Sequence, residues 1–359
     1  MTARTEFANA ATNAWAQRIE APDASLFGTD VACSFIGANT LPLVIQPAAA
    51  WRDVDALVKW GNAHRSALEN AVTQYGAVLL RGFEVDDTPH FERVSEMFPA
   101  YDMGYEAGAT SRAQISGKVF EATRVPPDVW IMLHQEMAYM RRYPSKLAFY
   151  CKTAPEQGGE TIIGDMRRFT AALPQRLMSE LTQKGVRYNR NFLSPDTQDA
   201  RKTPTFTHRT WVEAFYTDDR RKVEDDCKAR GLEFEWRSDG SISMWNTLPG
   251  VTRHASTGET LYFTQIHTQV PHRRWMGDST WSQYSAVYTD GVPKPFDASF
   301  GDGSPLNESD LLTIYDELDK VTVAFPWQHG DVLFVDNINT AHGRNPYKGQ
   351  RDVQVALIA

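Results

Sequence analysis

Cysteine is scarce in this 359-residue chain: Cys33, Cys151 and Cys227 are odd in number, widely spaced and form no CxxC pair. That leaves free thiols, buried or semi-buried, in a reducing compartment. No stretch of about 18 uninterrupted apolar residues occurs, so no membrane-spanning helix is expected. Long basic runs are absent as well. Asp and Glu outnumber Lys and Arg by 45 to 37, which argues against a nucleic-acid surface. Small acidic metabolites would have to be met by local basic groups rather than by a global field. Met1 to Glu20 carries Arg4, Glu6 and Arg18 among alanines and lacks an apolar h-region, so the cytoplasm is the expected compartment. Internal repeats and low-complexity tracts are also missing.

What is present is a chain long enough to bury a large core, read as many short strands with helices between them. Asp53 to Tyr75 has the periodicity of an amphipathic helix stopped by Gly76. Ala77 to Phe83 is an apolar run bounded by glycine, a buried strand. His90 to Phe98, Pro174 to Lys184, Asp218 to Arg230 and Leu311 to Leu318 read as helices. Trp130 to Glu136, Lys146 to Lys152, Leu261 to Gln265, Val321 to Phe325, Val332 to Val335 and Asp352 to Ile358 read as strands, and Asp297 to Asp310 as a loop. Residues 1–45 are expected to be an irregular N-terminal extension. Residues 46–359 are expected to form one domain, with a helical or irregular insert at about 170–256. The pattern predicts an α/β chain with a mostly β, barrel-like core flanked by helices.

Leu133-His134-Gln135-Glu136-Met137 carries the chemistry. His134 and Glu136 are two apart, so on a strand both side chains share a face; on a helix they would diverge. A third candidate ligand, His342, lies 208 residues later (342 − 134) in Asp336-Asn337-Ile338-Asn339-Thr340-Ala341-His342-Gly343-Arg344. Two neutral imidazoles and one carboxylate suit one face of Fe(II), leaving positions open for O2 and an electron-donating cosubstrate. The same donors could hold Zn(II) in a hydrolase, and a non-catalytic barrel binding a small acid or a metal is a further alternative.

Three blocks go beyond this spacing: Leu133 to Tyr139; Gly158-Gly159-Glu160-Thr161 with Gly164-Asp165-Met166-Arg167; and Phe325 to Asn337 continuing through His342-Gly343-Arg344-Asn345-Pro346-Tyr347 to Gly349-Gln350-Arg351. Thr257 to Gln265 adds a fourth. In order and spacing, over residues 75–359, the sequence resembles the TauD/TfdA family of Fe(II)/2-oxoglutarate dioxygenases, and within it the SyrP-like branch that modifies amino acids in natural-product pathways. The resemblance implies a double-stranded β-helix, a jelly-roll or cupin-like barrel, with a long insert between the metal-ligand strands. It assigns His134, Glu136 and His342 as iron ligands. Many members carry Asp where this chain has Glu136; Glu keeps the charge and donor atoms. Related halogenases place Ala or Gly there, so oxygenation is the implied reaction, with desaturation or cyclisation as variants.

The resemblance also implies Arg351 as the cation for the far carboxylate of 2-oxoglutarate, with Arg344 as runner-up and Thr161 donating its hydroxyl to the same carboxylate. Arg suits that task because it is planar, always charged and bidentate. Some members have a second arginine further along the last strand, where this chain has Val353 and Val355. Asn337 and Asn339 are read as fixing the ligand loop, Asp165 and Arg167 as structural, Met132 and Tyr139 as core, and Gln265 and His267 as lying on a strand that faces the pocket. Arg141-Arg142 and Arg273-Arg274 are read as solvated, with one of them available to a substrate carboxylate. The expected partner is a small molecule, an amino acid either free or tethered to a carrier protein. Oligomeric state is not readable.

Overall fold

A computed structural model describes residues 24–36, 40–48, 50–102, 114–197, 202–203, 206–289 and 291–359. The first 23 residues of the expected extension, and residues 198–201 and 204–205 of the expected insert, lie outside them.

Two sheets face each other. The larger has eight strands in the order Val31–Phe35, Leu43–Pro47, Ala77–Leu80, Val332–Asp336, Lys146–Thr153, Asp352–Ile358, Val119–Glu121 and Gln114–Ser116. The smaller has four: Thr322–Val323, Ile163–Asp165, Thr340–Arg344 and Ile131–His134. All but one of the pairings within these two sheets are antiparallel; Leu43–Pro47 runs parallel to Ala77–Leu80. The central strands of the larger sheet are covered on both faces, which is why they read as unbroken apolar runs. Along Val332–Asp336, Val332 and Phe334 pack outward against the helices, while Leu333 and Val335 point into the barrel. Leu79, Phe149, Ile163, Trp327, Val353 and Val355 fill the same interior. The positions that hold a second arginine in some relatives are thus core positions here.

Helices close both outer faces. Val54–Ala63 and Arg65–Tyr75 cover the larger sheet, and Gln175–Lys184 and Glu308–Val321 cover the smaller. The expected single helix from Asp53 to Tyr75 is two. Asp53 caps the first, its side chain accepting from the Ala56 amide at 2.8 Å. The run breaks at His64, which takes a non-helical φ of −109° and ψ of 19° while its backbone N–H still donates to the Trp60 carbonyl and its ring lies on Trp60. Gly76, at φ 79°, ends the second helix where a Cβ would strike Thr340.

Other boundaries also differ. Val31–Phe35 and Leu43–Pro47 are sheet strands rather than irregular extension. Phe296–Phe300 is a strand that runs into the expected 297–310 loop, with Ala298 and Phe300 buried and Asp297 and Ser299 half-buried. It joins a third sheet with Glu233–Trp236, Ile242–Leu248 and Val186–Phe192, so the insert runs past 256. Val321 ends a helix, leaving only Thr322–Val323 as strand. The Leu261 to Gln265 strand stops at Tyr262, and Gln265 instead precedes the short helix Ile266–Gln269.

Candidate active site

The 208-residue gap between the two histidines is closed by strand pairing. Thr340–Arg344 lies between Ile131–His134 and Ile163–Asp165, and His342 is in register with His134 on one side and Ile163 on the other. The imidazole centroids are 4.5 Å apart. Gly343 permits the close approach: a Cβ there would lie 2.3 Å from the Ile131 carbonyl oxygen. His134 Nδ1 lies 2.9 Å from the Met132 carbonyl oxygen, so Nδ1–H donates and the lone pair falls on Nε2.

Glu136 arrives differently from the expectation. The strand ends at His134, and Glu136 begins a turn in which Met137 takes a left-handed φ of 59°. Asn337 holds this turn in place of a ladder partner. Its Oδ1 accepts from the Glu136 amide at 2.7 Å, and its Nδ2 donates to the carbonyls of Glu136 and Pro144 at 3.0 and 2.8 Å. Gln135 faces away from the histidines and donates to the carbonyls of Tyr262 and Ile338. The Glu136 carboxylate, buried, ends 3.5 Å from His342 Nε2.

One donor atom from each of His134, Glu136 and His342 falls within 4.8 Å of the other two. Atoms bound about 2.1 Å from one centre are at most about 4.2 Å apart, so a small closure would bring all three onto a single ion. A buried carboxylate between imidazoles suits a divalent cation.

Thr161 is buried two residues before Ile163. Its hydroxyl accepts from Trp327 Nε1 at 3.2 Å and from Arg351 Nη2 at 3.4 Å. Arg351 also donates through Nε to the Gly159 carbonyl at 2.9 Å. No carboxylate among the described residues forms an ion pair with Arg351. Burial, followed by the repulsion of Arg344, pushes its pKa down to about 10. Arg344 is placed otherwise. Nη1 donates to the Val125 carbonyl, and Nη2 donates to those of Pro126 and Val129. Both guanidiniums lie over the Tyr347 ring, at 5.1 and 5.7 Å.

The surrounding groups are scaffold. His267, on a short helix rather than a strand, donates from Nε2 to the Leu133 carbonyl and accepts the Tyr262 hydroxyl on Nδ1. Burial lowers its pKa to about 4, so it is neutral. Gln265 Nε2 donates to the Gln135 carbonyl at 2.7 Å. Asp165 caps a helix and pairs with Arg167, which also reaches the Thr73 and Gln74 carbonyls. Asn339 donates to the Thr73 carbonyl, and Asp336 accepts from the amides of Ile338 and Asn339, shaping the turn that delivers His342.

The family model described as taurine catabolism dioxygenase TauD, TfdA family matches residues 41–357. The chain belongs to the TauD/TfdA family. It is therefore an Fe(II)- and 2-oxoglutarate-dependent dioxygenase. Among curated proteins this family member is similar to the dapdiamide synthesis protein DdaC of Enterobacter agglomerans, 30% identical over 81% of this chain and 84% of that one. It is also similar to a clavaminate synthase-like protein of Arabidopsis thaliana, 31% identical over 89% and 94%. Among solved structures, the fold is similar to PvcB, an Fe, alpha-ketoglutarate dependent oxygenase from an isonitrile synthetic pathway. That match has a TM-score of 0.51 at 14% identity over 92% of each chain. The double-stranded β-helix expected from the sequence is the fold of this TauD/TfdA chain. No helix among the described residues is long and apolar enough to cross a membrane.

Proposed function

We propose that this enzyme oxidises an unactivated C–H bond of a small, amino-acid-like or natural-product substrate, with hydroxylation as the outcome. The balance is R–H + O2 + 2-oxoglutarate → R–OH + succinate + CO2. His134, Glu136 and His342 hold the iron. Iron, when bound, supplies the oxygen activation that is coupled to 2-oxoglutarate decarboxylation. The protein's part is to place and insulate. Asn337 and Gln135 fix the backbone on either side of the ligands, so the donor set needs little reorganisation.

Arg351 and Thr161 take the far carboxylate of 2-oxoglutarate. The observation that carries the reading is this guanidinium, half-buried without a carboxylate just before the last strand and bonded to Thr161, two residues before the Ile163 that pairs with His342. A buried cation is costly until an anion reaches it, and 2-oxoglutarate provides one. Arg344 ties down residues 125–129 and leaves the anchor role to Arg351. The compartment we propose is the cytoplasm, where Cys33, Cys151 and Cys227 remain thiols.

The test is succinate release by the Fe(II)-loaded protein. Release should be stimulated by substrate and should be lost on omission of iron or in His134→Ala. Substrate oxidation at full rate without 2-oxoglutarate would contradict it.

A further inference from the structure

The four arginines expected to include a substrate contact are poor candidates. Arg141 is exposed, and Arg142 pairs with Asp102, Arg273 with Asp278, and Arg274 with Asp316 and Asp319. The sequence gives Arg190 no prominence, yet the structure links it through the short helix Ile266–Gln269 to the ligand segment. It lies on Val186–Phe192, in the sheet built from the insert.

Arg190 shares a strand face with Tyr188, two residues earlier. The Tyr188 hydroxyl meets Thr264 Oγ1 at 2.6 Å and accepts from the Gln265 amide at 2.9 Å. Gln265 in turn holds the backbone of Gln135, between the two ligand residues. One helical turn on, at i+4, Gln269 accepts from Arg190 Nη1 at 2.8 Å. The two glutamines thus tie the ligand segment and Arg190 to one short helix, about 6 Å apart along its face. Tyr139, three residues past Glu136, packs edge-on against Tyr188, with centroids 6.5 Å apart.

On its other side Arg190 lies 5.7 Å from the Phe296 ring. The half-buried guanidinium thus borders the Phe296 ring and is held by one neutral amide. No carboxylate among the described residues forms an ion pair with it. Burial shifts its pKa downward, a sign that the charge is poorly solvated. A half-buried guanidinium with a planar fork and no carboxylate partner is suited to an incoming carboxylate.

We propose that Arg190 binds a free carboxylate of the substrate and so sets which carbon of a small carboxylic acid faces the iron. The proposal rests on the oxygenase reading above and narrows it. A carrier-bound amino acid, whose carboxyl is consumed in a thioester, would leave Arg190 without its anion.

The probes are the proteinogenic L-amino acids, each as the free acid and as its methyl ester, added to protein loaded with Fe(II) and 2-oxoglutarate. One or more free acids should stimulate succinate release with at least tenfold higher kcat/KM than the ester. Arg190→Gln should raise KM for that acid roughly 10- to 100-fold, as expected for lost charge-assisted bonds, with a smaller change in kcat. Arg190→Lys should recover part of the loss. Arg187→Gln is the control, because that guanidinium stacks on Trp245 and bonds Asn189, and KM should not move. Equal use of acid and ester overturns the proposal. So does a KM within twofold in Arg190→Gln, or no stimulation by any free acid in protein that forms the anaerobic iron–2-oxoglutarate charge-transfer band. Failure to form that band sinks the oxygenase reading instead. Calorimetric binding of the same acids and esters to unaltered and Arg190→Gln protein then decides the Arg190 assignment separately.

Discussion

Replacing Arg351 with methionine should weaken 2-oxoglutarate binding without weakening the fold of the empty protein. Burial holds the Arg351 pKa at about 10 against an ordinary 12.5. At neutral pH the group is charged in both folded and unfolded chains. A depressed folded pKa therefore means that the charge costs stability, on the order of 3 kcal/mol at 1.36 kcal/mol per unit. Against this stand hydrogen bonds to the Gly159 carbonyl and Thr161 hydroxyl, worth about 1 kcal/mol each. Arg351→Met relieves the first and forfeits the second, so the empty variant should melt no lower than the unaltered protein. The cosubstrate loses a charge-assisted grip of about 1.5–3 kcal/mol, which raises KM for 2-oxoglutarate roughly 10- to 100-fold. Melting curves with and without 2-oxoglutarate, taken with succinate kinetics, measure both. A variant that melts several degrees lower yet keeps KM within twofold would make Arg351 a structural cation and refute the reasoning.

Asn337→Ala removes the two bonds that bracket Glu136 and a third to the Pro144 carbonyl. It should cost about 3 kcal/mol by denaturant titration and weaken Fe(II) binding 10- to 100-fold in a chelator competition. Gly343→Ala drives a Cβ into the Ile131 and Met132 backbone. It should lower the unfolding free energy by about 1–3 kcal/mol or more, read by denaturant titration, and abolish metal-dependent turnover. His267 carries a folded pKa of about 4 against 6.5 when unfolded. Between these values the unfolded state binds more protons, so stability present above pH 6.5 is lost as pH falls towards 4, by about 3 kcal/mol. The difference in unfolding free energy between the unaltered protein and His267→Gln, at pH 7.5 and 4.5, should narrow by that amount; a constant difference would contradict a buried neutral His267.

The strands of the barrel were legible because they are buried on both faces, and Val332 to Val335 or Lys146 to Lys152 cannot be confused with surface chain. Break points were less legible. Nothing in the apolar spacing from Val54 to Val72 signals that the backbone leaves the helical region at His64 and splits the helix. Phe296–Phe300 was hidden by the Gly, Ser and Asp of the loop that follows it. At the site, the structure brings His134 and Glu136 together with His342, but not by the strand geometry that the i, i+2 spacing suggested. They share a side of the chain, but Glu136 sits in a turn held by Asn337 rather than on the strand. Their meeting with His342 depends on a register between strands more than 170 residues apart, which only the family resemblance supplied. Arg190 lay out of reach of the sequence because its neighbours Arg187, Asn189 and Asn191 make the strand look like a solvated edge. Only the packing of Phe296 and Gln269 against it reveals a half-buried charge without a carboxylate partner.

The central claim, an iron held by His134, Glu136 and His342 with 2-oxoglutarate gripped by Arg351, is tested most directly by anaerobic titration of the protein with Fe(II) and then 2-oxoglutarate. A visible charge-transfer band that requires both additions, disappears in Glu136→Ala, and needs markedly more 2-oxoglutarate in Arg351→Met is the predicted result. A band that survives Glu136→Ala unchanged, or no band with one equivalent of iron bound, would contradict it.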